Sequence, residues 1–377
     1  MSAETTVPRP GEAIDETKLA GYLQDKVSLK NGKIEVLQFP AGSSNLTYLI
    51  KSGEDEFVLR RPPFGNTVKS AHDMRREFDV LSMLSVVYTP APKPLLFCED
   101  VSVIGSEFYL MERRRGLIIR GNLGQNHLRK RVGSSLASGS IRENKTADAK
   151  ILADSQPFRL EVCRSFIQNL ADLHALDYKA AGLESVGHPE GYTRRQVEGW
   201  TKRYFAAKTD EHPELERAVT WLNDNIPAES GASLVHNDYK FDNIMVDPND
   251  LAKITAVLDW EMVAVGDPLM DLGTTLGYWM DKDAGEEMLN MPFNPRVLMA
   301  NISRRELADM YAEASGRDIS NILYYYVFGT FKIAVIAQQI YARYVKGFTK
   351  DTRFARFDTF VAALGQIAAR TIKRGTL

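Results

Sequence analysis

Cysteine is almost missing from this 377-residue chain. Cys98 and Cys163 are the only two, which allows one bridge at most. Neither belongs to a Cys-x-x-Cys pair of the kind that holds structural zinc or carries redox chemistry. That usage fits a reducing, cytoplasmic setting. An excess of one charge is missing as well. With 47 Lys and Arg against 49 Asp and Glu, the formal net charge is −2, so no whole-chain field draws the protein to nucleic acid or to an anionic membrane. Neither is expected as a partner, and any anion must be held locally. Long apolar runs are also lacking. The most hydrophobic late stretch, Tyr324 to Ile340, is interrupted by Lys332, Gln338 and Gln339. It reads as a buried C-terminal helix and not as a span of about 20 apolar residues. Met1 to Lys18 carry Pro, Glu and Thr where a signal peptide has a basic start and an apolar centre. They read as a disordered tail. What is present, 44% hydrophobic and 25% charged residues, is enough apolar material for two domains or one bilobal unit.

Between Lys33 and Arg61 apolar and polar residues alternate around Ala41-Gly42-Ser43-Ser44 and Ser52-Gly53-Glu54-Asp55, the pattern of an antiparallel meander. Ala71 to Leu84 then shows Met74, Phe78, Leu81 and Leu84 at helical spacing, with Glu77 on the polar face. Beyond Pro90, Pro92 and Pro94, two further strands are expected at Leu95 to Cys98 and Glu107 to Met111. The first lobe is therefore expected over residues 1–112, with five strands and one helix. From Arg113 to Lys150, ten Lys or Arg face only Glu143 and Asp148. Residues 121–154 read as a mobile basic insertion, and the lack of aromatics there removes the stacking platforms of a nucleic-acid site. The remainder, within a second lobe of residues 113–377, is mostly helical. Helices are expected at 194–208, 213–225, 303–315 and 319–344 and along the apolar stripe from Phe158 to Leu173.

The chemistry concentrates in His236-Asn237-Asp238-Tyr239-Lys240-Phe241-Asp242-Asn243, followed by the strands Ile244–Val246 and Ile254–Leu258 and by Asp259-Trp260. The polar turn Asp247-Pro248-Asn249-Asp250 predicts a hairpin that brings Asn243 beside Asp259. An amide oxygen and a carboxylate at one edge suit Mg²⁺, a hard cation that completes its shell with water and phosphate. Asp238, on an irregular loop, can point a carboxylate toward a hydroxyl in line with a phosphoryl group. In isolation Asp238 could be a loop-capping carboxylate and Asp259 a strand terminator; the joint spacing favours chemistry.

His236-x-Asp238-x-x-x-x-Asn243, with Asp259 16 residues further on, resembles the catalytic loop and metal aspartate of kinase-fold enzymes. With Leu258-Asp259-Trp260 and Gly266-Asp267-Pro268-x-x-Asp271-Leu272 it resembles the aminoglycoside phosphotransferase family. Val58-Leu59-Arg60-Arg61-Pro62-Pro63, Ala71-His72-Asp73-x-x-Arg76-Glu77 and Pro189-Glu190-Gly191-Tyr192-x-x-Arg195-Gln196-x-x-x-Trp200 narrow the likeness to phosphotransferase domains associated with acyl-CoA dehydrogenases. The resemblance implies an α+β, bilobal protein-kinase-like fold with a small β-rich N-lobe and a larger, mostly helical C-lobe. It also implies a kinase using ATP and Mg²⁺ on an alcohol group of a small molecule.

Residue by residue, the resemblance makes Asp238 catalytic and Asn243 and Asp259 metal ligands, and it places Gly42, Ser43, Ser44 and Asn45 over the ATP phosphates. Arg60, paired with Glu77, takes the place of the usual lysine. That is a departure, because a planar guanidinium is not equivalent to an ammonium. Phe108 to Arg113 becomes the hinge, with Met111 near adenine. His236 is expected to brace the loop. Asp267 is expected to scaffold the site, by capping the next turn or by holding loop N–H groups, and Asp271 to support the core. His174 reads as a satisfied helix-end residue. A hydroxyacyl compound is the acceptor the branch implies, with association to an acyl-CoA dehydrogenase. An aminoglycoside acceptor, or a non-catalytic nucleotide- or acyl-binding pseudokinase, are the alternatives.

Overall fold

The structure is a computed structural model that describes residues 4–27, 29, 32–40, 45–63, 73–120, 156–284, 288, 301–349 and 351–377. Gly42, Ser43, Ser44 and the basic insertion expected at 121–154 lie outside the described residues. The chain forms two compact units. The first comprises residues 1–115 with 181–183 and 255–261, and the second 116–180, 184–254 and 262–377. The first unit thus runs slightly past the expected boundary at 112 and recruits two later segments. Val257 N donates to Pro90 O at 2.9 Å, and Trp260 meets Tyr88 edge-on at 5.9 Å.

The first unit is built on an antiparallel sheet of β1 (Glu35–Gln38), β2 (Leu46–Ser52), β3 (Asp55–Arg61), β4 (Pro94–Cys98) and β5 (Phe108–Glu112), in the order β1-β2-β3-β5-β4. Gly53, at φ 64°, closes the β2–β3 hairpin, where Ser52 faces Asp55. The helix α2 (Met74–Val87) starts on Asp73, whose carboxylate accepts from Arg76 N at 2.8 Å. Its inner face buries Met74, Glu77, Val80, Leu81 and Leu84, so the glutamate shares the apolar stripe.

The N-terminal stretch departs from expectation. Residues 4–18 are tied to the sheet instead of hanging loose. Thr6 and Gln38 exchange backbone hydrogen bonds of 2.9 and 2.7 Å, and Tyr48 Oη donates to Glu12 O at 2.7 Å. Asp15 caps α1 (Glu16–Leu23) by accepting from Thr17 N and Lys18 N. Ile14, Leu19 and Leu23 then pack with Val36, Tyr48 and Phe108. Three apolar residues scattered among polar ones suffice, because Leu19 and Leu23 stand one turn apart on one face.

In the second unit, β7 (Ser233–Val235) and β10 (Ala264–Gly266) form an antiparallel ribbon. β6 (Leu117–Ile118) pairs with β8 (Ile244–Asp247), which lies between β6 and β9 (Asp250–Val257). The helices are α3 (Gln156–Ala175), α4 (Tyr192–Ala207), α5 (Pro213–Asp224), α6 (Pro268–Tyr278), α7 (Arg304–Ser315), α8 (Ile322–Val345) and α9 (Phe357–Arg374). α8 packs on α6, α9, α4 and α5. The α6–α8 crossing is possible only between glycines. A Cβ on Gly329 would stand 2.0 Å from Gly273 O, and one on Gly273 would stand 2.1 Å from Tyr325 O. Among the described residues no helix is long and apolar enough to cross a membrane.

Because backbone and not a flexible side-chain tip opposes the new methyl, Gly329→Ala must push two helices apart. We expect a stability loss of at least about 1–3 kcal/mol, read as a lowered urea midpoint at unchanged slope.

Candidate active site

In the first unit, β3 delivers Arg60 and α2 delivers Glu77, both buried. They are ion-paired at 3.2 Å. The guanidinium also meets Asp259 Oδ1 at 2.9 Å and Glu261 Oε2 at 3.8 Å. Burial works against the Arg60 charge, yet Glu77, the buried Tyr109 hydroxyl and the two further carboxylates raise its pKa well above the ordinary value. Glu77 is pushed up by burial, against the pull of Arg60. Asp259 has a left-handed backbone, φ 68°, which a short carboxylate side chain tolerates better than most residues do. The next residues, Trp260–Met262, form a single 3₁₀ turn anchored by Trp260 Nε1 donating to Val257 O at 2.8 Å. Asn45, the described member of the expected phosphate turn, donates through Nδ2 to Glu261 Oε2 at 2.9 Å. Met111 lies in β5, buried and paired with Val58.

In the second unit the β7–β10 ribbon sets the loop. β10 runs into Asp267, which caps α6 by accepting from Leu269 N at 2.9 Å. Asp267 also accepts from Ser230 N at 3.0 Å and from Tyr325 Oη at 2.8 Å. One turn further on, Asp271 turns its carboxylate to the end of β7, where His236 N and Asn237 N donate to it at 2.6 and 2.7 Å. Of the two roles left open for Asp267, the cap is the one observed, and Asp271 is the residue that holds the loop. His174, at the end of α3, contacts Asp271 Oδ2 at 3.1 Å and Tyr311 Oη at 2.7 Å. Burial alone would raise the Asp271 pKa, but the bonds and charges from His174 and His236 lower it below the ordinary value.

His236 is fully buried, and its Nδ1 accepts from Asp238 N at 3.2 Å. Asn243, on the 3₁₀ turn Phe241–Asn243, donates through Nδ2 to Asp238 O and to Asp238 Oδ2, both at 2.9 Å. With its amide hydrogens committed there, Oδ1 is the atom of Asn243 that could ligate a cation.

Several groups at these places carried no assigned role in the sequence reading. Lys240 Nζ donates to both Asp238 oxygens, at 2.9 and 2.7 Å, and stands 4.6 Å from the Tyr278 ring centre. Lys240 lies inside the informative segment, so its type and position were in view. Glu261, which gathers Arg60 and Asn45, had no signal beyond being two residues from Asp259. Lys332 Nζ donates to Asn237 O at 2.5 Å. Of the basic residues on α4, Arg195 is committed to the carbonyls of Glu190 and His188, while Arg203 stacks on Trp200 at 4.6 Å.

The donor chemistry fits magnesium. Asp259 in the first unit and Asn243 in the second each carry a hard oxygen of the kind that magnesium takes. Among the described residues no group of three or more His, Cys, Asp or Glu could hold a metal.

A fold with an antiparallel sheet and a helical unit, and a loop presenting Asp238 and Asn243, define a class of phosphoryl-transfer proteins. The description "Phosphotransferase enzyme family" matches residues 35–138 and 142–311, and the chain belongs to that family. It is similar to acyl-CoA dehydrogenase family member 11 of Gallus gallus, at 32% identity over 347 residues, 91% of this chain and 41% of that protein. The chain spans less than half the length of the curated relatives of that name. A crystal structure from Ralstonia eutropha JMP134, described provisionally as an aminoglycoside phosphotransferase, is similar at TM-score 0.73 and 27% identity, covering 96% of this chain and 99% of that one. A choline kinase from Cryptosporidium parvum Iowa II, at TM-score 0.63 and 12% identity over 96% of each chain, shares the fold. The family and branch expected from the motifs are those found.

The depressed Asp271 pKa fixes the sign of an acid effect. Its stabilisation is complete above the unfolded value of roughly 3.9 and is lost as pH falls through the lower folded value. Asp271→Asn should therefore lower stability at neutral pH and flatten the acid limb, as followed by urea melts across that range. Arg60→Met should cost about 3–5 kcal/mol, because Glu77 is left buried without its partner. Adding Glu77→Gln should recover part of that loss.

Proposed function

We propose that this chain transfers the γ-phosphoryl group of ATP to a hydroxyl of a small molecule in the cytoplasm, and that the acceptor is a hydroxylated acyl compound, free or as its CoA thioester. The observation that carries the reading is Asp238, a carboxylate held by Asn243 and Lys240 on a loop whose backbone is clamped by Asp271. Such a group is pre-positioned at no cost during the reaction. The acceptor oxygen bonds to the γ-phosphorus as the bond from phosphorus to the β,γ-bridging oxygen breaks. The hydroxyl proton passes to Asp238, and the electron pair leaves with ADP.

Asn243 and Asp259 are the residues that would hold Mg²⁺, which would supply charge neutralisation on the phosphates. Arg60 and Asn45 meet phosphate oxygens, and Met111 packs near adenine. Lys240, seated on Asp238, can pass from the carboxylate to a phosphoryl oxygen as substrates enter.

Cations near Asp238 support an anionic acyl acceptor over a cationic aminoglycoside. Lys240 pairs with it directly, and Lys332 feels the charges of Asp238, Lys240 and Arg203. The relatives' shared name and greater length support association with an acyl-CoA dehydrogenase as partner.

The test is Mg²⁺-dependent ATP consumption on a panel of hydroxy acids, hydroxyacyl-CoA thioesters and aminoglycosides. Turnover on aminoglycosides alone would overturn the acceptor class, and nucleotide binding without turnover on any of them would make this a binding module. Asp238→Ala should abolish transfer and leave Mg·ATP affinity within about threefold. Asp259→Ala should lose Mg²⁺-dependent nucleotide binding as well, and unchanged affinity by calorimetry would place the metal elsewhere. Arg203→Glu should lower kcat/KM for a hydroxyacyl-CoA and spare an aminoglycoside.

A further inference from the structure

Lys332 is the anomaly of α8. It is 1% exposed in a helix whose other buried residues are nearly all apolar or aromatic, and beyond the charge it adds near Asp238 it has no role in the reading above. A buried ammonium persists only when something compensates its lost hydration. Here the compensation is the Asn237 carbonyl, which accepts from Nζ at 2.5 Å, with the Trp200 ring centre 5.5 Å away.

Asn237 immediately precedes Asp238 and holds a left-handed backbone, φ 67°. Its N–H is taken by Asp271, its Oδ1 by Tyr192 Oη at 3.0 Å, and its Nδ2 by Met262 O at 3.0 Å. The remaining polar group is the carbonyl, and it belongs to the planar peptide that leads into Asp238. The N–H end of that same peptide is held by His236 Nδ1. The plane that aims Asp238 is thus pinned at one end by the loop and at the other by Lys332. Gly329, about one helical turn before Lys332, is a point where α8 touches α6, so this glycine crossing lies beside the stretch of α8 that carries the ammonium.

We propose that Lys332 is a positioning residue for phosphoryl transfer, whose ammonium fixes the Asn237–Asp238 peptide and with it the bearing of the Asp238 carboxylate toward the acceptor hydroxyl. The proposal rests on the reading of Asp238 as the group that meets that hydroxyl. The charges facing Lys332 come from the loop, α6 and α4. Burial lowers its pKa, Asp238 and Asp271 raise it, Lys240 and Arg203 lower it, and the result is about 8. Above that pH the folded chain sheds a proton that the unfolded chain keeps to roughly 10.4. The site's contribution to stability therefore rises with pH in the window where activity falls. Alkaline unfolding would move both down together.

The experiment measures kcat against pH with Mg·ATP, following phosphate release to water and transfer to a hydroxybutyryl-CoA, alongside the melting temperature. The wild-type chain should lose kcat above about pH 8 while its melting temperature holds. Lys332→Met should keep its near-ultraviolet circular dichroism and Mg·ATP affinity, lose about 10- to 100-fold in kcat at neutral pH, and lack the alkaline limb. Lys332→Arg, which keeps a donor that does not titrate, should restore most of kcat and also lack the limb. A flat wild-type profile to about pH 9.5, or a limb retained in Lys332→Arg, overturns the proposal even if the Met variant does not fold. Full activity in Lys332→Met with an inactive Asp238→Asn overturns it alone. Turnover by Asp238→Asn, or none by the wild-type chain, overturns the underlying reading and this proposal with it.

Discussion

The Asp271 carboxylate is the constraint on which the second unit turns. A strand that ends inside a protein leaves backbone donors with no ladder partner, and buried donors must be satisfied. β7 ends at Val235, and the next two N–H groups converge on one carboxylate. Charge-assisted bonds of this kind are short and strong, and they oblige α6 to begin where Asp267 caps it. They oblige α3 to end where His174 can reach the same oxygen. The irregular loop, which has no sheet of its own to lie in, thereby inherits the rigidity of two helices.

The first unit solves a different electrostatic problem. A lysine ammonium offers its donors from a single point, whereas the Arg60 guanidinium presents a planar fork. That geometry lets one cation address Glu77 behind it and Asp259 and Glu261 ahead of it. Arginine here is more than a surrogate for lysine. It ties the strand-borne charge to the turn that carries Asp259, and the left-handed backbone at Asp259 is held on both sides by the Trp260 anchor and the Arg60 contact.

Much of this was legible in the sequence because it is local. The five strands, the long helices and the spacing from His236 to Asn243 and Asp259 are written in periodicity and in one contiguous motif. The N-terminal segment was misread for want of periodicity. Its three anchoring residues are spread thinly, and only the sheet they pack on reveals them. Asp267 and Asp271, four residues apart, carry the same chemistry, and only the ribbon register says which reaches the loop. Lys332 was visible as a break in an apolar run, but its partner lies 95 residues away, a distance over which sequence patterns are silent.

The first unit is discontinuous along the chain, and this bears on how the protein is made. Residues 1–115 emerge from the ribosome with the sheet complete, yet Asp259 and Glu261 belong to the segment 255–261. At roughly 5–20 residues per second, the partners of Arg60 lag behind its strand by on the order of ten seconds. During that interval the nascent sheet carries the Arg60–Glu77 pair without its outer carboxylates. The Arg60 charge cluster is therefore among the last parts of this unit to close, and a chain stalled before residue 259 has a sheet but no acidic turn.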